Sequence, residues 1–547
     1  MGYARDYADA IKHRARVPME PADFVPDWAD RPRKGKYYPG TESFPLPASD
    51  YPSGATAEAG CLPGRQPLPE SSFTLPLLSG MLRDSYGLVG RRLGVQANSD
   101  LAALPHYTQT NWSRGTASGG GLYPVSVYWA CGPSGPLAPG VYHYANQLHA
   151  MQRLLAGDVT GHVREAAGCG GAGPETDQFL ILGVKYWQNS FKYNSFSFHV
   201  VSMDIGTVLQ SWRMWARARG LRIEPAMWFD EPRLNRLLGT AEEDEGVFAV
   251  VPLTWDSGVP REPAGDGAGV SGRPAADGAR AGAGELPSVR HKDVELSRRV
   301  LSFDILERVR EATAADPGAR PAPGALAGAE AVPLPGTGDP LPLPPPRTEP
   351  MTVREALRGR RSSFGRFDAG RPVSAEQLGT ALAASAGVTL ETDAEPPGGA
   401  RLVKLYAFLN HVEGFEPGAY EYDADAHALR PVVPGPHGEF LQRNYFLANY
   451  NLEQSGAVLV PTVRTEAVLD AVGDRGYRLY GATTGAVSQA FYTVCTALGL
   501  GCGVALGFDN VSYVEQLGLE RTGETPLLIM LLGHERSRPA DFRHEIA

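Results

Sequence analysis

Two short stretches carry residue types that together could grip a flat, phosphorylated ligand. Arg360-Arg361-Ser362 sits in LRGRRSSFGRFDAGRPVSAEQL, after a short helical run and before a Pro-Val-Ser helix start. Forked guanidinium donors beside a short hydroxyl suit a phosphate, and the competing reading is a solvated basic surface. Far upstream, Ser113-Arg114-Gly115-Thr116-Ala117-Ser118-Gly119-Gly120-Gly121-Leu122-Tyr123-Pro124 precedes a strand. Successive glycines let the backbone approach a flat ligand and expose its N–H groups, while Ser118 adds a donor. A plain turn needs only one or two glycines, so ligand contact is the expectation.

The elements that must position these residues repeat along the chain. PGVYHYANQLHAMQRL from Pro139 matches PGAYEYDADAHALRPV from Pro417, 278 positions later. The helix-like run Met203–Gly220 leads through GLRIEPAMWFDEPRLNRLLG, and Val487–Gly499 leads through GLGCGVALGFDNVSYVEQLG, with Phe229 and Phe508 offset by 279. A register held over so long a stretch signals duplication. Strands are predicted at Val125–Ala130, Leu402–Leu409, Phe248–Leu253 and Leu527–Leu532, and in the two hairpins after the Pro-Gly turns. Val487, Phe491, Val494, Cys495 and Leu498 make one apolar helix face, stopped by Gly499-Leu500-Gly501. The result is an α+β unit, built twice, with helices covering an antiparallel or mixed sheet.

Between the copies, composition shifts to Gly, Ala and Pro, as in REPAGDGAGVSGRPAADGARAGAGELP, which reads as linker. One stretch within it, Asp293–Glu311, has apolar residues near helical spacing and is predicted as a helix. The expected division is a 1–70 N-terminal arm, a first domain over 71–258, a linker over 259–349 and a second domain over 350–547. The arm is rich in Pro and aromatic residues; wrapping around its own domain is the commoner role for such an arm, and docking a partner the rarer one.

With 51 Lys+Arg against 61 Asp+Glu in 547 residues, and no basic stripe, nucleic acid is excluded as an expected partner. No apolar run reaches the roughly 20 residues of a membrane span, and Met1–Arg16 is polar where a signal peptide would be apolar. A cytoplasmic protein without membrane contact is expected. Cysteines 61, 131, 169, 495 and 502 are scattered, without a C-x-x-C pair, so neither a disulfide framework nor a metal site is expected. His199, between Phe198 and Val200, has no second ligand at metal spacing and reads as a packed residue.

Arg-Arg-Ser-Ser with the following helix, S-G-G-G-L-Y-P, Pro-Gly-x-Tyr-x-Tyr, and A-L-G-L-G leading to Gly507-Phe508 resemble the nitroreductase superfamily. More narrowly they resemble its SagB/ThcOx-type azoline dehydrogenases, over roughly Leu75–Leu253 and Met351–Leu532. The resemblance implies two tandem FMN-dependent nitroreductase-like domains forming an intramolecular pseudo-dimer. Arg360, Arg361 and Ser362 would hold the FMN phosphate and ribityl chain, and Gly507 and Phe508 would lie near the ring. Ser118, Gly119 and Gly120, with Arg114 beside them, would reach the same flavin from the other half. A C-terminal arginine completes phosphate binding in this fold, and Arg536, Arg538 and Arg543 are all candidates. The halves have lost complementary parts: only Leu82–Arg92 stands where the first copy would carry Arg-Arg-Ser, and Pro397-Gly398-Gly399-Ala400-Arg401 is what remains of the second glycine segment. One working site and one vestigial site follow, with Trp228 and Phe229 placed to plug the latter.

Lys192-Tyr193 resembles the Lys-Tyr pair linked to proton transfer in azoline dehydrogenases; Lys185-Tyr186 fits less well. At the repeat offset the counterpart of Lys192-Tyr193 is Ala471-Val472, so the pair stays with the intact glycine segment. The expected activity is FMN-dependent oxidation of azoline rings in a ribosomally made peptide to thiazoles or oxazoles. The expected partners are a modified precursor peptide and a cyclodehydratase complex. The alternatives are a general NAD(P)H-dependent nitro or quinone reductase, and a flavin-free scaffold that positions a peptide.

Overall fold

The alternating apolar runs on either side of the linker fold into two antiparallel sheets, seen in a computed structural model that describes residues 2–93, 110–168, 176–256, 286–315, 320–394, 399–536 and 543–545. The first sheet uses β1 (Ser43–Pro45), β2 (Val125–Cys131), β3 (Gly140–Ala145), β4 (Ala150–Ala156), β5 (Gln178–Lys185) and β6 (Glu245–Pro252), in the order β1-β4-β3-β2-β5-β6. The second uses β7 (Leu341–Pro342), β8 (Val403–Leu409), β9 (Gly418–Asp423), β10 (Ala428–Pro434), β11 (Ala457–Val463), β12 (Gly501–Ala505) and β13 (Ile529–Gly533), in the order β12-β13-β11-β8-β9-β10-β7. The strand sequence β4-β3-β2-β5-β6 of one sheet recurs as β10-β9-β8-β11-β13 of the other. Even the irregularities match: the β3–β4 hairpin shifts register after Val141 and the β9–β10 hairpin after Ala419, 278 positions apart.

Seven helices matter for the site. Along the chain they are α1 (Tyr3–His13), α2 (Leu75–Ser85), α3 (Trp187–Tyr193), α4 (Ser197–Arg217), α5 (Asp304–Ala314), α6 (Val353–Gly359) and α7 (Gly476–Ala497). Nearly every residue of α4 and α7 is buried, as expected of helices enclosed on all sides. Each covers its own sheet, and they pack against each other.

Their crossing is unusually close because small residues meet there. A Cβ on Gly206 would lie 1.8 Å from the Ala482 carbonyl oxygen, and one on Gly485 would lie 2.0 Å from the Met203 carbonyl oxygen. Gly481 likewise faces the Ser202 Cβ. The contacts are reciprocal: adding 279 to Ser202, Met203 and Gly206 gives Gly481, Ala482 and Gly485. Such self-complementarity is the mark of a twofold interface. A single apolar core runs through both halves, and separate clusters fill the outer side of each sheet.

Charged side chains lock the same junction. Arg478 on α7 is 1% exposed and donates to Glu231 Oε2 at 2.7 Å and to the Val247 carbonyl at 3.0 Å. Asp84, at the end of α2, is buried and accepts from Arg354 at 2.8 Å and Arg358 at 3.0 Å on α6. The last described strand, Arg543–Glu545, pairs with Gly90–Arg92 of the first half. Among the described residues, no helix is long and apolar enough to cross a membrane.

The arm wraps the rest of the chain. Its helix α1 packs on α5 and on helices of the second half, the Lys36 ammonium forms a buried ion pair with Glu245, and β1 extends the first sheet. The helix expected over Asp293–Glu311 is shorter and later, confined to α5. Residues 293–303 form no helix, and their polar groups find partners elsewhere: the Arg298 and Arg299 N–H groups donate to Asp30, and Trp187 Nε1 donates to Ser297. Those tertiary bonds outweigh the helical pattern.

Gly485→Val should force the α4–α7 crossing apart, since its Cβ meets backbone that has nowhere to retreat. We expect a loss of roughly 3 kcal/mol or more, read as a lowered midpoint in thermal and denaturant unfolding. Gly161→Ala, where an added Cβ meets nothing within 4 Å, is the control and should leave stability unchanged or slightly raised.

Candidate functional site

One wall of the candidate site is the glycine turn before β2. Gly120, Gly121 and Tyr123 all have positive φ (63°, 64° and 54°), so the first two positions favour glycine. The turn is held from beneath by Asp204 on α4. Ser118 Oγ donates to one carboxylate oxygen at 2.7 Å, the Gly119 N–H donates to the other at 2.9 Å, and Ser118 Oγ accepts from the Tyr123 N–H at 2.8 Å. Burial pushes the Asp204 carboxyl up to about 7, against the hydrogen bonds from Ser118 and Gly119. On the outer side of the turn, a Cβ at Gly121 would meet nothing within 4 Å.

The second half supplies the facing wall. Arg360 caps the C-terminus of α6, whose N-terminus carries a Thr352/Glu355 capping box. Its guanidinium crosses to the first half, where Nε donates to the Gly115 carbonyl at 2.8 Å and Nη2 to those of Arg114 and Thr116 at 3.1 and 3.4 Å. Gln489 on α7 stitches the same segment, donating to Gly115 and accepting from the Ala117 N–H. Arg361, only partly buried, is engaged by both carboxylate oxygens of Glu535. Ser362 Oγ lies 2.8 Å from Tyr492 Oη, which accepts from the Val504 N–H at 3.0 Å. Burial raises the Tyr492 phenol to about 12. The nearest atom to a Cβ on Gly507 would be Leu447 Cγ at 3.5 Å.

Lys192 and Tyr193 end α3 beside the glycine turn. A Cβ at Gly120 would lie 2.6 Å from Tyr193 Oη, so the missing side chain is what admits the phenol. Lys192 Nζ stands 4.9 Å from the Tyr193 ring and 5.8 Å from the Trp28 ring of the arm. Tyr445 of the second half is raised by burial and, after that, by Tyr492 and Tyr193, which puts tyrosines of both halves around one space. Arg14 of the arm reaches the same place, donating to the Leu506 carbonyl and lying 4.4 Å over Phe196.

Of the residues singled out from sequence, Arg360 of the second half meets the Arg114–Thr116 segment of the first directly, Tyr193 meets Gly120, and Arg361 and Ser362 bond to Glu535 and Tyr492 of their own half. Phe508 points elsewhere, fully buried in the outer core of the second sheet, 5.1 Å from the Tyr513 ring. Arg114 is also turned away, its guanidinium 4.7 and 4.2 Å over Tyr86 and Tyr123 and donating to the Lys34 carbonyl. Arg536 donates to the Phe367 carbonyl, Arg543 lies in the strand paired with Gly90–Arg92, and Arg538, with Pro397 and Gly398, lies outside the described residues. Asp204, Gln489, Tyr492 and Arg14 are the additions. Asp204 had a signal, as the one carboxylate in the buried run from Ser197 to Arg217.

The donor set fits FMN, with one change of role. Open space at Gly121 leaves room for a flat ring, and Arg361 with Ser362 offers charge and hydroxyl to a phosphate. Arg360 spends its donors on backbone carbonyls and acts as a clamp between the halves.

The equivalent place on the opposite side differs. At the 278 offset, Asp84 stands where Ser362 does, and a buried carboxylate there repels a phosphate. Trp228 and Phe229 are buried, and Asp393 accepts from the Met227 and Trp228 N–H groups at 2.7 and 3.1 Å. The Arg475 guanidinium covers the Phe229 ring at 4.5 Å. His199 packs as expected, 2.8 Å from Tyr477 Oη, and burial lowers it to about 3. Among the described residues no group of three or more His, Cys, Asp or Glu is placed to hold a metal.

Comparison with known proteins agrees with this architecture. Residues 357–534 match the model of the Nitroreductase family. A Methanocaldococcus jannaschii protein that carries a nitroreductase name is 29% identical over 207 residues, covering 36% of this chain and 98% of that protein. A solved structure from Anabaena variabilis, also bearing a nitroreductase name, covers 98% of this chain and 100% of its own, with a TM-score of 0.70 at 20% identity. The whole chain thus has a nitroreductase-like fold, and the findings support the nitroreductase superfamily.

Asp204 makes stability pH-dependent with a definite sign. Its carboxyl is raised above the ordinary value of 3.8, so the folded chain binds this proton more tightly than the unfolded one, and stability falls as pH rises from about 4 to about 7. Asp204→Asn should flatten that segment of the unfolding midpoint against pH. An unchanged slope would place the raised group elsewhere.

Proposed function

Starting from a nitroreductase-like fold, we propose that this chain is an FMN-dependent oxidoreductase built as an intramolecular pseudo-dimer. In this reading units 71–258 and 350–547, joined by the 259–349 linker and wrapped by the 1–70 arm, share one working flavin cleft. We further propose that it acts in the cytoplasm, oxidising azoline rings of a modified, ribosomally made peptide to thiazoles or oxazoles alongside a cyclodehydratase complex. The observation that carries the reading is that Arg360 of the second half donates to the Arg114–Thr116 carbonyls just ahead of the Ser118–Gly121 turn, whose Gly120 abuts the Tyr193 hydroxyl.

In this assignment Arg361 and Ser362 hold the phosphate, with Glu535 giving way to it, and the turn at Gly120 and Gly121 lies along the ring. Asp204 keeps the turn in shape, and Arg360 with Gln489 keeps the walls together. Bound FMN would supply the acceptor for a hydride, with molecular oxygen as its reoxidant. Aromatising an azoline also removes a proton from a ring carbon, and in this reading Tyr193 Oη takes it. The step needs an anionic phenol, and the cation beside that ring is the Lys192 ammonium, 4.9 Å away. Tyr445, Phe196 and the Arg14 segment of the arm surround the space and exclude water.

Tyr193→Phe and Lys192→Met should each lower azoline-peptide oxidation by about 10²–10⁴-fold while flavin content stays constant. Unchanged turnover in both would remove the pair from the chemistry. The nitroreductase names of the relatives favour a second reading, a nicotinamide-fed reductase. Rapid NADH or NADPH oxidation with a nitroaromatic or quinone, and no azoline turnover, would select it. Protein that takes up no FMN would select a scaffold.

A further inference from the structure

One backbone position takes a guanidinium on both sides of the junction, but from different parts of the chain. On the side of Trp228 and Phe229, Arg475, just ahead of α7, donates from Nε to the Met227 carbonyl at 2.6 Å and lies 4.5 Å over the Phe229 ring. Adding 279 to Met227 gives Leu506. The Leu506 carbonyl also accepts from a guanidinium, through Nη2 of Arg14, at the end of α1 in the arm. Subtracting 279 from Arg475 gives Phe196, so the first half has no arginine of its own for this place, and Arg14 lies 4.4 Å over the Phe196 ring. Burial lowers both guanidinium groups to about 10. The arm thus delivers to the cleft side the group that α7 supplies on the opposite side.

The helix that carries Arg14 is fixed to both halves. Tyr7 Oη donates to the Ser195 carbonyl at 2.8 Å and accepts from the His199 N–H at 3.1 Å, at the start of α4. Arg16 meets Asp509 at 3.3 Å and Glu515 at 3.1 Å in the second half. The Leu506 contact is passed on along the backbone, because the next carbonyl, that of Gly507, accepts from the Phe446 N–H at 2.9 Å and so fixes the neighbour of Tyr445. The two guanidinium groups differ in their surroundings. Arg475 Nη1 meets Glu231 at 3.5 Å, whereas adding 279 to Glu231 gives Asn510, a neutral side chain that donates to the Pro526 carbonyl at 2.7 Å. Each keeps one nitrogen buried without a hydrogen-bond partner among the described residues, Nη2 of Arg475 and Nη1 of Arg14. A buried charged donor is costly until an acceptor reaches it.

We propose that the arm is a third component of the flavin site. Arg14 is a positioning residue that holds the Leu506–Gly507 segment, and through it Tyr445, against the Tyr193 side of the cleft, and its Nη1 finds an acceptor on the bound FMN. The inference rests on the flavin reading above and adds to it a residue from outside both duplicated units. It also ties the one-sidedness of the pseudo-dimer to the arm: a chain with two halves has one arm, and so completes one site.

Titration of the full chain with FMN, followed by visible absorption and flavin fluorescence, tests this in the wild type, Arg14→Met, Arg14→Lys and Arg16→Gln. Arg14→Met should weaken FMN roughly tenfold to a hundredfold and shift the absorption maximum of the flavin that still binds at saturation. Arg14→Lys should recover most of the affinity and the wild-type maximum, and Arg16→Gln, which removes an arm contact away from Leu506, should change neither. Near-UV circular dichroism of the flavin-free proteins checks that each is folded, and Arg14→Gln, closer in shape, serves where Arg14→Met does not fold. Wild-type affinity and spectrum in Arg14→Met, no recovery with lysine, or equal weakening by Arg16→Gln would each overturn the proposal and leave the flavin reading in place. A wild type that takes up no FMN would overturn both.

Discussion

Everything at the junction depends on two helices touching backbone to backbone. Where α4 crosses α7, Gly206 and Gly485 leave no room for a Cβ, and the approach is the same from either side. Small residues allow such a crossing because they remove the side chains that normally hold helix axes 8–10 Å apart. Close packing then sets the distance between the sheets that the helices cover. It also sets the reach of the polar residues further along: Asp204 rises to the glycine turn, and Gln489, about one turn beyond Gly485, crosses to Gly115 and Ala117.

The two ends of this near-symmetric junction have different chemistry. On one side stand the hydroxyls of Ser362 and Tyr193, a partly buried guanidinium and the open Gly121. On the other, Asp84 replaces a hydroxyl and is neutralised by Arg354 and Arg358, while Asp393 takes the two N–H groups next to Trp228. Buried carboxylates already paired with arginines give a stable, closed packing but nothing for a phosphate to bind. A duplicated chain freed from having to keep two equivalent sites can strengthen one end as structure and keep the other for ligand, and the reading advanced above is that this chain did so.

How much of this can be read from sequence depends on whether the signal is local. The repeat is visible because sheet strands and buried helices impose periodic apolar patterns, and the 278–279 offset survives in the strand order and the hairpin irregularities. The Arg-Arg-Ser and Ser-Gly-Gly-Gly stretches are visible because their compositions are unusual. What their side chains bond to is not local. Arg360 reads like a phosphate ligand yet ends on three carbonyls, Arg114 turns to two tyrosine rings, and Phe508 faces the outer core. Asp204 and Gln489 are single polar residues in apolar helices, and only the tertiary arrangement reveals that they support the turn. The glycines of α4 and α7 are similar: each costs helix stability, and the compensation appears only when the partner helix is in place. Residues 293–303 show the reverse case, a helical pattern overridden by bonds to Asp30 and Trp187.

The central claim is one flavin site made jointly by both halves. The most direct measurement is the number of FMN molecules bound per chain, from the visible spectrum after reconstitution, in the wild type and in Gly121→Ala and Ser362→Ala, one variant on each wall. The account predicts about one FMN per chain, with affinity reduced by either variant while the near-UV circular dichroism is unchanged. Two per chain, or a site weakened by changes in one half and indifferent to the other, would contradict it.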